Sequence, residues 1–184
     1  MTTRTRTRRT RPSGVDLEQA IRTRRTHKAC GPEPLDRETL DELFELARWA
    51  PNHQLTNPWR FRVIGPHALQ RLKRASDDPV AAAKLDRSPT LVLVTATQSG
   101  DPVFDVEDML ATGVAAYVVL LAAHGRGLAG YWRTPEVLRT AQGRAALGVP
   151  DHERVVGLLQ LGHPRQQPRV PERAPVEAVV DYLD

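Results

Sequence analysis

The sequence predicts one α+β domain, and three observations lead to this fold class. The chain has 184 residues, which is enough for a single hydrophobic core. Hydrophobic residues make up 40% of the chain and charged residues 26%, so the composition is too apolar for a mainly disordered protein. The predicted helices interleave irregularly with few strands, whereas a doubly wound parallel sheet alternates the two. We expect one domain over residues 13–184, ending in a proline-spaced arm over residues 164–184.

The first two predicted helices are short and amphipathic. Ser13 and Asp16 resemble a capping box, and the apolar residues after them share one helical face. Asp36 can cap a second helix, whose apolar residues keep the i, i+3, i+4 spacing until Pro51 ends it. The predicted buried faces are Leu17, Ala20 and Ile21 in the first helix and Leu40, Leu43, Phe44, Ala47 and Ala50 in the second.

Three segments have the pattern of strands. Residues 59–64 alternate Trp, Phe and Val with Arg, Arg and Ile, which is typical of a half-buried strand. Residues 90–96 are short, apolar and β-branched, so we expect an interior strand there. Residues 155–161 form a similar apolar run and predict a further strand.

The remaining helices include one long core element. Short helices are predicted at residues 66–75 and 79–86, and a further helix at residues 135–147. Residues 105–124 begin with an acidic turn, which a helix N-terminus favours. This helix then becomes apolar on nearly every face, which indicates a core or interface helix. Its uninterrupted apolar run, residues 114–123, is shorter than a membrane span requires.

The positive charge is concentrated at the start of the chain. Up to Lys28, nine Lys and Arg residues oppose two acidic residues, which gives this segment a charge of +7 and the remainder −3. After Met1, residues 1–12 alternate Arg and Thr without apolar content and predict a disordered basic tail. We do not expect the domain after the tail to bind nucleic acid, because its cations are not spread over the predicted folded elements. No apolar stretch follows the tail, so we expect a cytoplasmic protein without a secretory signal.

Several common kinds of site are excluded by their patterns. Residues 125–130 have the spacing of a dinucleotide-binding fingerprint, but that fingerprint lies between a strand and a helix. Here a long helix precedes the glycines, so they predict a helix stop before a strand. The six histidines lack metal-ligand spacing, and no Gly-x-Ser-x-Gly elbow or Walker loop is present. Cys30 stands alone in a Gly/Pro loop and has no recognisable catalytic partner.

Three segments carry residues suited to a flat, phosphorylated ligand. Arg24-Arg25-Thr26 supplies two guanidinium groups and a hydroxyl, and guanidinium groups bind phosphate in a bidentate manner. Residues 50–61 form a polar loop between a helix stop and an aromatic strand. Residues 131–134, Tyr-Trp-Arg-Thr, place an indole, a guanidinium and a hydroxyl beside the glycines. Core packing is the alternative explanation for Trp59 and Phe61.

Together with the strand end Leu161-Gly162-His163-Pro164, these segments resemble the nitroreductase family of flavoproteins, specifically its small, minimal branch. The resemblance covers roughly residues 15–183, and its four motifs follow one another at the expected separations. It implies a central, mainly antiparallel sheet flanked by helices, in an interlocked homodimer. It also implies two FMN sites at the subunit interface, with NADH or NADPH as the reductant.

The resemblance assigns residues to the cofactors by motif. Arg24, Arg25 and Thr26 would bind the FMN phosphate and ribityl chain, and Trp49 and His53 would contact the same flavin from the other subunit. The pocket would be completed by Trp132, Arg133 and Thr134. The nicotinamide cofactor would use the turn formed by Ala122, Ala123, His124, Gly125, Arg126 and Gly127, although helix termination explains that segment equally well.

The activity implied is FMN-dependent, ping-pong hydride transfer from NAD(P)H to a nitroaromatic, quinone or related acceptor. Because the flavin performs this chemistry, no residue is expected to act as an essential acid, base or nucleophile, and no metal is expected. Many relatives carry an Asn in the loop before Pro-Trp where this chain has Leu55 and Asn57, so that flavin contact is not transferred. The alternatives are another flavin reaction on the same scaffold, such as dehalogenation, flavin degradation or heterocycle dehydrogenation, a low-turnover flavin-binding protein, or a DNA-associated module.

Overall fold

A four-stranded antiparallel sheet with helices on both faces forms the body of the chain. The computed structural model describes residues 16–183. Its helices and strands, in chain order, are α1 (Leu17–Thr23), α2 (Arg37–Ala47), β1 (Trp59–Val63), α3 (Pro66–Arg74), α4 (Pro79–Ala83), β2 (Thr90–Thr97), α5 (Pro102–Gly125), β3 (Ala129–Arg133), α6 (Ala141–Ala146) and β4 (Glu153–Gly162). Short 3-10 turns lie at His53–Leu55, Lys84–Arg87, Glu136–Arg139 and Val176–Ala178.

The strand order is β1-β2-β4-β3, and every neighbouring pair is antiparallel. The predicted interior strand, β2, lies between β1 and β4, and all its residues but the last are buried. The β2–β4 register places Val92 opposite Leu159 and shifts once, between Val94 and Thr95. The α+β prediction and the antiparallel sheet are therefore confirmed.

Alternation along β2 and β4 sends side chains to two separate cores. Val92 and Leu159 belong to the core that α5 and α2 cover. Leu93 and Leu158 belong to the second core, on the opposite face, with residues of α3 and the turn Glu136–Arg139. Two buried faces explain why the central strands are apolar at nearly every position.

Asp36 is the N-cap that the sequence predicts, since its carboxylate accepts from the backbone N–H of Thr39. Ser13 of the predicted capping box lies outside the described residues, and Asp16 itself caps α1 by accepting from the N–H of Gln19. In α2, the predicted apolar face is buried at Leu40, Leu43 and Ala47. In α1, only Ala20 is buried, and the rest of the predicted face is exposed. Leu17 and Ile21 of the α1 face are therefore left uncovered by the described residues.

One predicted helix, residues 135–147, is wrong as a single element. The chain instead forms a 3-10 turn, Glu136–Arg139, followed by α6. Thr140 separates them because its backbone is extended, with ψ of 152°, and its hydroxyl accepts from the N–H of Gly143 at 3.0 Å. A Cβ at Gly143 would overlap the carbonyl of Val137, so the close contact between the two pieces requires glycine. The cap formed by Thr140 therefore replaces the continuous helix that the sequence pattern predicts.

Helix α5 begins three residues before the predicted position, since the Asp101 carboxylate accepts from the N–H groups of Val103 and Phe104. By length and composition alone, this one helix of the described chain could cross a membrane, although soluble core helices meet the same criterion. Eight of its residues are buried, and it contacts α2 and all four strands. Its packing is that of a core helix.

The structure describes the C-terminal arm as far as residue 183 but not the predicted N-terminal tail. The predicted basic tail, residues 1–12, lies outside the described residues. After Pro164, which forms a β-bridge with Cys30, the described chain contains only the 3-10 turn Val176–Ala178. Apolar side chains in this segment are exposed, namely Val170, Val176, Val179, Val180, Tyr182 and Leu183. The arm adds none of these to the cores of its own subunit.

A buried ion pair joins the first strand to the last. Arg62 on β1 donates to both carboxylate oxygens of Glu153, at 2.7 and 2.8 Å, and the Thr95 hydroxyl donates to the same carboxylate. Hydrogen bonding from Arg62 lowers the pKa of Glu153 more than burial raises it. The pair fixes the end of the sheet next to the register shift.

We expect Glu153→Gln to lower the free energy of unfolding by about 2 kcal/mol at pH 7, the typical value for a hydrogen bond to a charged group. Because the pKa of Glu153 is lower in the folded state, its stabilisation is complete above its ordinary value of 4.5 and disappears as the pH falls through the folded value. Urea denaturation at pH 7 and pH 3 measures the difference. The exposed Glu136→Gln is the control. Equal stability of wild type and Glu153→Gln at pH 7 would contradict the prediction.

Candidate functional site

A cluster of cationic side chains lies where α1 ends against the C-terminal turn of α5. Arg24 is the C-cap of α1, and its guanidinium carbon lies 5.8 Å from the centre of the Tyr117 ring on α5. Thr23 and His124 are joined by a hydrogen bond of 2.8 Å between Oγ1 and Nε2. This hydrogen bond joins residues that are 101 positions apart in the sequence.

The electrostatics of this cluster favour an anion. Burial lowers the pKa of His124, and the positive charges of Arg24, His27 and Arg25 lower it further. Burial also lowers the pKa of His27, which Arg24 reinforces and a backbone hydrogen bond at Gln166 opposes. Among the described residues, all the charged side chains that shift the pKa of His27 or of His124 are therefore cationic. An anion placed here would relieve this repulsion.

Two buried donors or acceptors in the cluster have no partner among the described residues. They are Nε of Arg25 and Nδ1 of His27. The other end of Arg25 donates to the carbonyls of Arg22 and Arg24, at 2.7 and 2.8 Å. Buried polar atoms are nearly always hydrogen bonded, so these two atoms indicate a missing partner. A phosphate group fits this position by charge and by hydrogen-bonding capacity.

The predicted Arg-Arg-Thr segment runs along the free edge of the sheet. Thr26 forms a parallel bridge with Gly130 of β3, and the N–H of His27 donates to the Gly130 carbonyl at 3.1 Å. Trp132 follows Gly130 by two residues, which corresponds to about 7 Å along a strand. The structure thus brings the first predicted segment beside the strand that leads into Trp132, Arg133 and Thr134.

Trp132 is half-buried and packs against the core beneath α5. Its indole N–H donates to the Val156 carbonyl at 3.4 Å, and a Cβ at Gly157 would overlap the ring. Gly113 on α5 would place a Cβ 3.6 Å from the far edge of the same ring. Trp132 therefore has a packing role, and only its remaining exposed part is available to a ligand. Arg133 and Thr134 are also half-buried.

Trp49 and His53, the other predicted flavin contacts, lie toward the opposite end of α5. Nδ1 of His53 is 3.7 Å from the Glu107 carboxylate. Glu107 and His124 are 17 residues apart in one continuous helix, or about 26 Å. Trp49 follows α2 and is 77% exposed. The turn that holds His53 and the cluster around His124 therefore lie near opposite ends of α5.

The loop around His53 is strained and anchored. Gln54, Leu55 and Asn57 all have positive φ, between 48° and 55°, which is unusual for residues other than glycine. Asn52 accepts from the N–H of Asn57 at 2.9 Å, and the Thr56 hydroxyl donates to the buried Asp108 at 2.6 Å. Leu55 consequently projects into solvent. Sequence reasoning missed this anchor, although the carboxylate within an apolar helix was a signal for it.

The predicted nicotinamide segment is the C-terminal turn of α5. Gly127 has a φ of +74°, its N–H donates to the His124 carbonyl, and the N–H of Leu128 donates to the Ala123 carbonyl. This pattern is a Schellman motif, so the helix stop before a strand is confirmed. Ala123 is fully buried, whereas Ala122, His124 and Gly125 are partly exposed. Arg126 contacts Glu42 on α2 at 3.3 Å, so its charge is already paired.

The surroundings of Cys30 agree with the prediction that it is not a nucleophile. It is buried, and the Ser88 hydroxyl lies 3.3 Å from its sulfur. Burial raises the pKa of the thiol, which disfavours the reactive thiolate. Across residues 16–183, no three His, Cys, Asp or Glu side chains are grouped to hold a metal ion.

Comparisons with known proteins agree with this fold. A model of the Nitroreductase family matches residues 21–163. "Putative NAD(P)H nitroreductase YfhC" of Bacillus subtilis (strain 168) is 26% identical over 175 residues, which cover 87% of this chain and 90% of that protein. The crystal structure of a nitroreductase-like family protein from Bacillus cereus has a TM-score of 0.85 at 20% identity, covering 94% of this chain and 98% of the other. The FMN and NADPH-dependent nitroreductase NfnB from Sphigopyxis sp. strain HMH has a TM-score of 0.75 at 19% identity, with 92% and 100% covered.

These structural likenesses define the fold class as nitroreductase-like α+β. The family match spans most of the chain, and the chain belongs to the nitroreductase family. The resemblance predicted from the sequence motifs is confirmed.

Proposed function

We propose that the protein is an FMN-dependent NAD(P)H oxidoreductase. The observation that carries this proposal is the cluster of Arg24, Arg25, His27 and His124, in which burial and the charge of Arg24 lower the pKa of both histidines and two buried atoms lack partners among the described residues. Such a cluster suits a phosphate group, and this chain belongs to a family with a relative named for FMN and NADPH dependence. We also propose that the protein is cytoplasmic.

The chain's own residues would bind and orient the cofactor. Arg24, Arg25 and Thr26 would hold the phosphate and the adjoining ribityl chain beside β3. Trp132, Arg133 and Thr134 would line the pocket further along that strand. Bound FMN would supply the redox chemistry, accepting a hydride from NADH or NADPH and passing electrons to a nitroaromatic, quinone or related acceptor.

We further propose a homodimer with shared sites. Helix α5 exposes an apolar stripe at helical spacing, consisting of Val103, Val106, Leu110, Val114 and Tyr117. A contiguous apolar stripe of this kind is typical of an interface. We infer that Trp49 and His53 act on the flavin of a partner subunit, because Glu107, the contact of His53, lies about 26 Å from His124 along α5. The exposed arm after Pro164 would then reach across onto that partner.

The test of the proposed function is direct. We expect the purified protein to be yellow, with a flavin absorption spectrum, and to release FMN on heat denaturation. It should oxidise NADH or NADPH faster when a nitroaromatic or quinone is added. Release of another chromophore, or no binding of added FMN, would refute the cofactor. Bound FMN without NAD(P)H oxidation against the full acceptor panel would favour the flavin-binding alternative.

A further inference from the structure

We propose that His124 is a phosphate ligand that makes the site specific for the phosphorylated flavin and takes up a proton when FMN binds. This inference rests on the proposed function and reassigns His124 from the nicotinamide segment to the phosphate end of the cofactor. The supporting geometry is the contact of His124 with Thr23, next to Arg24 and Arg25.

Hydrogen bonding defines the tautomer of His124. The Thr23 hydroxyl has one proton, which it donates to the Gln19 carbonyl at 2.6 Å. Its oxygen must therefore accept at the second contact, so Nε2 of His124 carries a proton and donates to Thr23 at 2.8 Å. The remaining nitrogen, Nδ1, is unprotonated in the neutral ring. It becomes a donor only when the ring gains a second proton.

The charges around His124 oppose that second proton in the absence of an anion. Arg24 and Arg25 approach from α1, His27 approaches from the segment beside β3, and all three lower the pKa of His124. On α5 itself, Tyr117 lies against Arg24, and Arg126 is paired with Glu42 of α2. The Glu18 carboxylate of α1 is 3.8 Å from Arg22. The ring is thus neutral near pH 7 in the free protein.

A bound phosphate would reverse this balance. A phosphate dianion among Arg24, Arg25 and His27 cancels the repulsion and favours imidazolium. Proton uptake at Nδ1 then creates a charge-assisted hydrogen bond with the phosphate, and the affinity for FMN rises as the pH falls from 8.0 toward 6.5. Riboflavin lacks the phosphate, so protonation of His124 would not raise its affinity. His124 would therefore distinguish FMN from the unphosphorylated flavin.

The experiment compares the full-length wild type with His124→Gln. Glutamine keeps a donor for Thr23 but cannot titrate, so folding is preserved and checked by thermal melting. FMN and riboflavin affinities are measured by flavin fluorescence between pH 6.5 and 8.0, where the FMN phosphate is mostly dianionic because its second pKa is about 6. His67→Gln, in which an exposed histidine on α3 is replaced, is the matched control.

We expect His124→Gln to weaken FMN binding about tenfold at pH 6.5 and to flatten its pH dependence, with riboflavin binding changed by less than about twofold. NMR titration of the His124 ring should show its pKa rising when FMN is added, and His67→Gln should behave like wild type. Equal losses for FMN and riboflavin, or a loss confined to NAD(P)H, would overturn the assignment. A wild type that binds neither flavin would instead refute the proposed function.

Discussion

Replacing both Arg24 and Arg25 with alanine should leave the fold intact and lower the affinity for FMN by about 10²- to 10⁴-fold. Each charge-assisted hydrogen bond to phosphate contributes about 1.5–3 kcal/mol, and the two side chains act on the same group. The cost to folding is small, because Arg24 and Arg25 lie at the end of α1 and outside the three hydrophobic clusters. Equilibrium titration with FMN measures the effect, and circular dichroism melting checks the fold.

Arg74→Ala combined with Arg139→Ala is the matched control, since both arginines are exposed and lie on elements that pack against the second core, on the other face of the sheet from α5. This control removes the same net charge and should change the affinity for FMN by less than about threefold, through screened long-range electrostatics alone. If the Arg24/Arg25 variant retained FMN at wild-type affinity, the phosphate assignment would be incorrect. Repetition at high salt separates local hydrogen bonding from general attraction.

Truncation after Pro164 should yield a flavin-poor protein with a greater monomer fraction and a lower melting temperature. Within one subunit the arm buries little apolar surface, because its apolar side chains are exposed and belong to none of the buried clusters. Apart from the backbone hydrogen bond of Gln166 to His27, its loss would act through the proposed dimer, in which each arm would cover apolar surface of the partner. If the flavin is bound by both chains, dimerisation and FMN binding strengthen each other by mass action. Light scattering with a flavin assay on the same fractions measures both.

Deletion of residues 1–12 serves as the control at the opposite terminus. That segment contains one apolar residue, Met1, so its removal should alter neither flavin content nor oligomeric state. A stable, flavin-loaded monomer of the full-length chain would contradict the shared-site proposal. A large loss of activity on deleting residues 1–12, or salt-sensitive DNA binding that disappears with them, would revive the DNA-associated alternative.

Much of the fold was predictable because its signals are local. The cap at Asp36, the apolar spacing of α2 and the β-branched run in β2 are each set by residues a few positions apart. The order of a helix followed by a strand around Gly127 likewise excluded a dinucleotide-binding loop. The break at Thr140 was missed, because the choice between a cap and a continuous helix depends on how closely Gly143 packs against Val137.

The sequence by itself determined the elements, the family and the arginine pair, each from short motifs. Only the tertiary structure decided which side chains meet. The packing of α1 on α5 brings Thr23 to His124 and places arginines near that imidazole, whereas His53 contacts Glu107, about 26 Å from His124 along α5. Thr23 and His124 are 101 positions apart and leave no periodic signal in the sequence, because their contact depends on the length and direction of the elements between them. The cationic cluster is therefore a product of helix packing.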